Sequence, residues 1–416
     1  MIVYAADWIL PIVETPIPHG WVAVEGGRVV EVGSGPRRGV VELGRVAVLP
    51  ALVNAHTHLE LSHLRDAVPP ASAFLDWASG LIAVRRAQSN PRAPEILAAA
   101  RAGIHEARAS GTGLIGDVSN TLATVPLLLE AGMPARVFYE LLGFGASDPV
   151  GRVRDARALV SATASGGSDL QIGLAPHAPY SVSPGLFSAI RDDLGAHPAD
   201  ISSVHLSESP EEVEFIRRGT GGWRELLVAL GAWTDEWRAP GVSPVMYLAD
   251  LGFLDARVLV VHGVQCSVED LSRLRALGTT VVACPRSNQY VGVGDPPLEA
   301  FYTTGVSVAF GTDSLASVAD LNMFQELAAA RRLAPGVSAR TLIESATLLG
   351  ARALGFGDEF GSIEAGKRGA LIAVGLPERV GDVEEYLVSG IDPDVIQWVE
   401  SSHLAPRAVA PSHPRT

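Results

Sequence analysis

Between residues 47 and 312 short apolar runs alternate with longer helix-compatible stretches, and this alternation limits the fold more than any other feature of the chain. The runs are VAVLPALVN (about 47–54), TGLIGDV (112–118), ARVFYELL (135–142), LQIGLA (170–175), ISSVHL (201–206), RVLVVH (257–262), TTVVAC (279–284) and VSVAF (306–310). Each is bounded by polar residues or glycine, and spacers such as PEILAAARAGIHEARAS (94–110) have helical character. Continuous apolar strands separated by helices are the pattern of parallel βα units. Eight such units predict a closed (β/α)8 TIM barrel, an architecture that takes about 250 residues. An open doubly wound sheet is the alternative that strand counting alone leaves standing.

Residues 47–357 are therefore assigned to the barrel. The flanking segments 1–46 and 358–400 carry β-like pieces separated by glycine turns, WVAVEGGRVVEVGSG and EFGSIEAGKRGALIAV among them. They are expected to combine into one small composite β-sandwich domain. Residues 401–416, rich in proline and small side chains, read as a loosely packed tail.

A net charge of −14 without a basic tract argues against a nucleic-acid partner. No run approaches the roughly 18 apolar residues of a membrane span. The N-terminal segment lacks the basic n-region and cleavage site of a signal peptide, so a cytoplasmic location is expected. Cys266 and Cys284, the two cysteines, make neither a disulfide framework nor a cysteine-based zinc site.

Chemistry enters at the strand ends. His56-Thr57-His58 closes the first run, and residues i and i+2 of a strand share a face, so both imidazoles can reach one ion. A lone HxH is weak evidence. Here His205 ends the fifth run, His262 ends the sixth, Asp313 follows the eighth and His177 follows the fourth. The carboxyl ends of barrel strands converge on one mouth, which is where such barrels place their reactive groups.

The segments LPALVNAHTHLE, HLSES, VVHGVQC, ACPRSN and FGTDS resemble motifs of the amidohydrolase superfamily and its mononuclear deaminase branch, and the resemblance extends over essentially the full chain. Ala51 stands where a glycine is usual, a departure that touches a turn and not a ligand. Two-metal members bridge their ions with a carboxylated lysine, whereas the single lysine here, Lys367, lies outside the barrel. The resemblance thus implies one divalent ion, zinc or iron(II), held by His56, His58, His205 and Asp313. It implies Glu208 as the proton shuttle for a metal-activated water, Asp313 as the second proton acceptor, and His262 beside the ion as a catalytic group or a further ligand. Glu211, Glu212 and Glu214 read as exposed carboxylates of the same loop and helix start.

The motifs HTHLELS, APHAPYSVS and CPRSN are closest to those of deaminases acting on adenosine-like compounds: the aminodeoxyfutalosine deaminases of menaquinone biosynthesis, then the S-adenosylhomocysteine/methylthioadenosine deaminases. The latter carry a ribose-binding glutamate after strand one, yet residues 61–94 contain no glutamate. A small-molecule substrate is expected, contacted by His177, with Glu140 near a sugar hydroxyl and Trp77 stacking on a ring. Arg286 is the expected partner for a benzoate, with Arg85 and Arg86 as alternatives. Triazine dechlorination, guanine deamination and cyclic amide hydrolysis on the same metal are the competing chemistries, and a non-catalytic scaffold is the competing class. A homodimer is compatible by analogy only.

Overall fold

The computed structural model describes residues 1–88, 90–163 and 169–399, so the expected tail and the last residue of the terminal β-segment lie outside the described residues. Eight parallel strands form the barrel: Leu52–Thr57, Thr112–Ser119, Ala135–Leu141, Leu170–Pro176, Ser202–Leu206, Val258–His262, Thr280–Ala283 and Ser307–Phe310. The first four pair in sequence order, as do the last four. Two seams join the halves. At one, the Ser202 hydroxyl donates to the Leu174 carbonyl at 2.8 Å and the His205 amide donates to the His177 carbonyl at 2.9 Å. At the other, Asn54 and Thr312 exchange two hydrogen bonds of 2.8 and 3.0 Å, and Thr57 bridges to Asp313. The sheet therefore closes, and the open-sheet alternative is excluded.

The first apolar run divides in two. Val46–Pro50 belongs to the terminal sheet, pairing in parallel with Ile2–Ile9 and antiparallel with Leu371–Gly375, and only Leu52–Thr57 enters the barrel. Both pieces are apolar because both are buried, so composition cannot mark the switch. The terminal segments combine into one seven-stranded sheet that draws on residues 2–50 and 371–398. No helix among the described residues is long and apolar enough to cross a membrane.

Close approach of strands eight and one depends on Gly311, where a Cβ would meet the His56 backbone at 2.8 Å. Three non-glycine residues at the mouth hold left-handed backbone: Ser207 (φ 52°), His262 (φ 75°) and Asp313 (φ 63°). Such conformations cost about 1–3 kcal/mol each and persist where surrounding packing enforces them, commonly at functional sites.

Candidate active site

Strand one delivers His56 and His58 to the mouth, strand five His205, and the turn after strand eight Asp313. The Nε2 atom of His58 lies 3.2 Å from that of His56 and 3.3 Å from that of His205. The Oδ1 atom of Asp313 is 3.5 Å from His56 Nε2 and 3.4 Å from His58 Nε2. Ligands about 2.0–2.1 Å from a tetrahedral cation stand about 3.3–3.4 Å from one another, so this donor set has the dimensions of a single divalent-metal site.

Protonation agrees with that geometry. Burial, then the neighbouring His56, holds His58 well below the usual imidazole range. His205 is depressed to about 4, chiefly by burial and then by His177 and His56. Burial pushes Asp313 up, but the His56 hydrogen bond and the charges of His58, His56 and His262 outweigh it and hold the carboxylate well below its ordinary range. His58 and His205 are thus disposed to be neutral imidazoles and Asp313 an anionic carboxylate.

A surrounding layer orients each donor, as it does in metal sites generally. The His205 Nδ1–H points at the His177 carbonyl, 3.0 Å away, which leaves Nε2 as the coordinating atom. Ser287 and Ser317 donate to Asp313 Oδ2 at 2.6 and 3.1 Å, turning Oδ1 toward the histidines. Asp117 accepts from the Leu59 amide at 2.8 Å, the Thr124 hydroxyl at 2.7 Å and the Thr57 hydroxyl at 3.3 Å, gripping both neighbours of His58. Burial raises that carboxyl to about 7.

Glu208 is 4% exposed, with Oε1 3.5 Å from His262 Nε2. Burial, then the charges of Asp313, Glu212 and Glu211, raises Glu208 well above the carboxylate range, the kind of shift that marks a candidate acid–base group. His262 receives a hydrogen bond from Asn288 at its other nitrogen, 2.9 Å away, so this ring links Glu208 to helix 285–290.

The remaining expected residues divide. His177 is fixed by Ser181 at 2.6 Å, and its ring lies 5.0 Å from that of His205, so it borders the donor set. Glu140 sits behind His205, with Oε1 3.6 Å from Nδ1, and accepts from Asn120 at 2.8 Å. Trp77 stands farther off: rings run from His177 through Tyr180 and Trp223 to Phe74 and then Trp77, which packs in the main core. Arg286 requires correction. Its guanidinium binds Glu326 at 2.6 Å and Asp320 at 2.8 Å and donates to the Asp320 carbonyl at 2.9 Å, so its donors are committed to fastening helix 285–290 to helix 323–333. A benzoate has no claim on it.

A cavity of about 610 Å³ adjoins the donor set through Glu140, and Arg85 and Arg152 line it with Asn120 and Tyr139. Arg85 donates to Asn120 at 3.0 Å, and neither arginine makes an ion pair among the described residues. Sequence reasoning weighed Arg85 but missed Arg152, which lies on the helix after strand three with no motif around it.

Fold and site together define a metal-dependent hydrolase acting on carbon–nitrogen bonds. The chain belongs to the amidohydrolase family, whose model matches residues 47–399. It is 31% identical to the aminodeoxyfutalosine deaminase of Deinococcus radiodurans over 76% of this chain and 75% of that protein. It is 29% identical to the 5-methylthioadenosine/S-adenosylhomocysteine deaminase of Moorella thermoacetica over 93% of this chain and 90% of that one. Among solved structures, a zinc-bound adenosine deaminase from Xanthomonas campestris superposes with a TM-score of 0.80 at 26% identity, covering 95% of this chain and 90% of its own.

Proposed function

We propose that the protein is a zinc-dependent hydrolytic deaminase of a 6-aminopurine nucleoside whose tail is anionic, aminodeoxyfutalosine being the substrate that fits best. The observation that carries this reading is the pairing of a buried Glu208, its carboxyl raised well above the ordinary carboxylate range, with the donor set of His56, His58, His205 and Asp313 in one mouth. The relatives named above, an aminodeoxyfutalosine deaminase and a 5-methylthioadenosine/S-adenosylhomocysteine deaminase, support it.

The overall change replaces the purine C6–NH2 by C6=O, consuming one water and releasing ammonia. His56, His58, His205 and Asp313 would hold a divalent cation, which would supply Lewis-acid activation of that water. Glu208 takes the proton that the attacking water loses and gives it to the adjacent ring nitrogen. Asp313, held in place by Ser287 and Ser317, takes the second proton and passes it to the departing amine. His262, at 3.5 Å from Glu208, donates to the oxygen as charge builds there.

The tail is directed to the cavity beyond Glu140, where Arg85 and Arg152 offer positive charge. On this reading the basic partner for a benzoate or other carboxylate is Arg85 of helix 74–86 with Arg152 of helix 149–163, and not Arg286. We expect Arg85→Ala and Arg152→Ala each to raise KM for an anionic-tailed nucleoside roughly tenfold, a share of the 1.5–3 kcal/mol typical of a hydrogen bond to a charged group. Their kcat should stay near that of the parent, and KM for adenosine, which lacks the anion, should not move. Steady-state kinetics on the two substrates decide the matter, and an equal effect on both would remove the arginines from tail recognition.

A further inference from the structure

The segment bearing Glu208 has no regular structure of its own between strand Ser202–Leu206 and helix Pro210–Arg218. Ser207 is in the left-handed region at φ 52°, an unfavourable conformation for a residue with a Cβ. Something must hold the turn. The Gln265 amide donates to the Ser207 carbonyl at 2.7 Å, securing one side. The other side is held by Glu212, which is 0% exposed despite its place in a run of acidic residues that reads as a solvated helix start.

Each Glu212 oxygen has a partner. Oε1 accepts from the Ser207 amide and Oε2 from the Glu208 amide, both at 2.9 Å, and the Ser209 amide also faces the carboxylate. The Ser209 hydroxyl returns a bond by accepting from the Glu212 amide at 3.2 Å. One buried side chain therefore gathers the consecutive amides of 207–209, and the middle one belongs to the residue whose carboxyl must face His262.

We propose that Glu212 is a positioning residue for Glu208: by clamping the amides of Ser207 and Glu208 it fixes the strained turn and keeps the Glu208 carboxyl 3.5 Å from His262. The proposal rests on the shuttle role assigned above to Glu208. Glutamine at 212 would keep the shape but replace one acceptor by an NH2 group directed at a backbone N–H, so one clamp is lost and the turn is released. Aspartate would keep two acceptors on a shorter stem. Misplacement of a reacting group by about 1 Å can cost on the order of 10²-fold in rate. The donor set is reached from the strands and not from this turn, so metal content should not change.

The test compares the parent, Glu212→Gln, Glu212→Asp and Glu214→Gln, the last removing the same charge from an exposed position of the same helix. Zinc content, kcat and KM are measured for the adenine nucleoside that the parent deaminates, and a crystal structure of Glu212→Gln is determined. The expected result is a fall in kcat of about 10–100-fold for Glu212→Gln, partial recovery in Glu212→Asp, no change in Glu214→Gln, KM within about threefold and zinc unchanged. The crystal structure should show the Glu208 carboxyl withdrawn from His262 with His56, His58 and His205 in place. Unchanged kcat, a change confined to KM, or loss of zinc or fold in both 212 variants would overturn the proposal. If the parent deaminates no adenine nucleoside, the shuttle reading fails separately, and the position of Glu208 in the Glu212→Gln crystal then decides the clamp: an unmoved carboxyl overturns it.

Discussion

Replacing Glu208 by glutamine is expected to lower kcat by about 10²–10⁴-fold, the range typical of a lost general acid–base group, with one zinc still bound per chain. The amide has nearly the same shape, can still pack beside His262, and removes only the capacity to carry a proton. Burial raises Glu208 well above the ordinary carboxylate range, and the negative charges of Asp313, Glu212 and Glu211 act in the same direction. Because the residue lies three positions beyond His205 and outside the donor set, metal binding should be untouched. Single-turnover rates with zinc quantified on the same sample measure the effect. A drop of less than tenfold would remove Glu208 from proton transfer.

Stripping the metal is expected to abolish turnover, and one equivalent of zinc to restore it. The pH dependence of zinc uptake is more diagnostic still. An imidazole of ordinary pKa, about 6.5, begins to lose metal to protons as the pH falls below neutrality. Burial depresses His205 to about 4 and holds His58 well below its usual range, so protons compete for these two ligands only in strongly acidic solution. Zinc affinity should then fall less steeply between pH 7 and 6 than a site of ordinary histidines would, with the His205 contribution lost only as the pH approaches about 4. Asp313, held low, stays anionic throughout that window. Competition against a chelating dye at several pH values provides the readout, and a fall between pH 7 and 6 matching several ordinary histidines would contradict the geometry.

The ligand-type residues were legible in sequence because each terminates an apolar run, and a closed barrel turns eight such ends into one mouth. What could not be read were interactions between distant segments. CPRSN made Arg286 look available, but its partners Asp320 and Glu326 are brought to it only by the packing of two helices. Glu212 looked like one of several solvated acids, since nothing local announces that helix 210–218 turns that face inward onto the Glu208 turn. Arg152 lies on a helix without a motif, and its place beside Arg85 depends on where strands one and three stand in the barrel. The division of the first run at Pro50 and Ala51 was hidden for a different reason: both halves are buried, one in each sheet, so hydropathy does not change where the partner does.

The most direct measurement is ammonia release by zinc-loaded protein from aminodeoxyfutalosine, S-adenosylhomocysteine, methylthioadenosine, adenosine and guanine. The expected result is turnover of the adenine nucleosides with the highest kcat/KM for aminodeoxyfutalosine and none for guanine; no ammonia from any adenine nucleoside, with one zinc bound per chain, would contradict it.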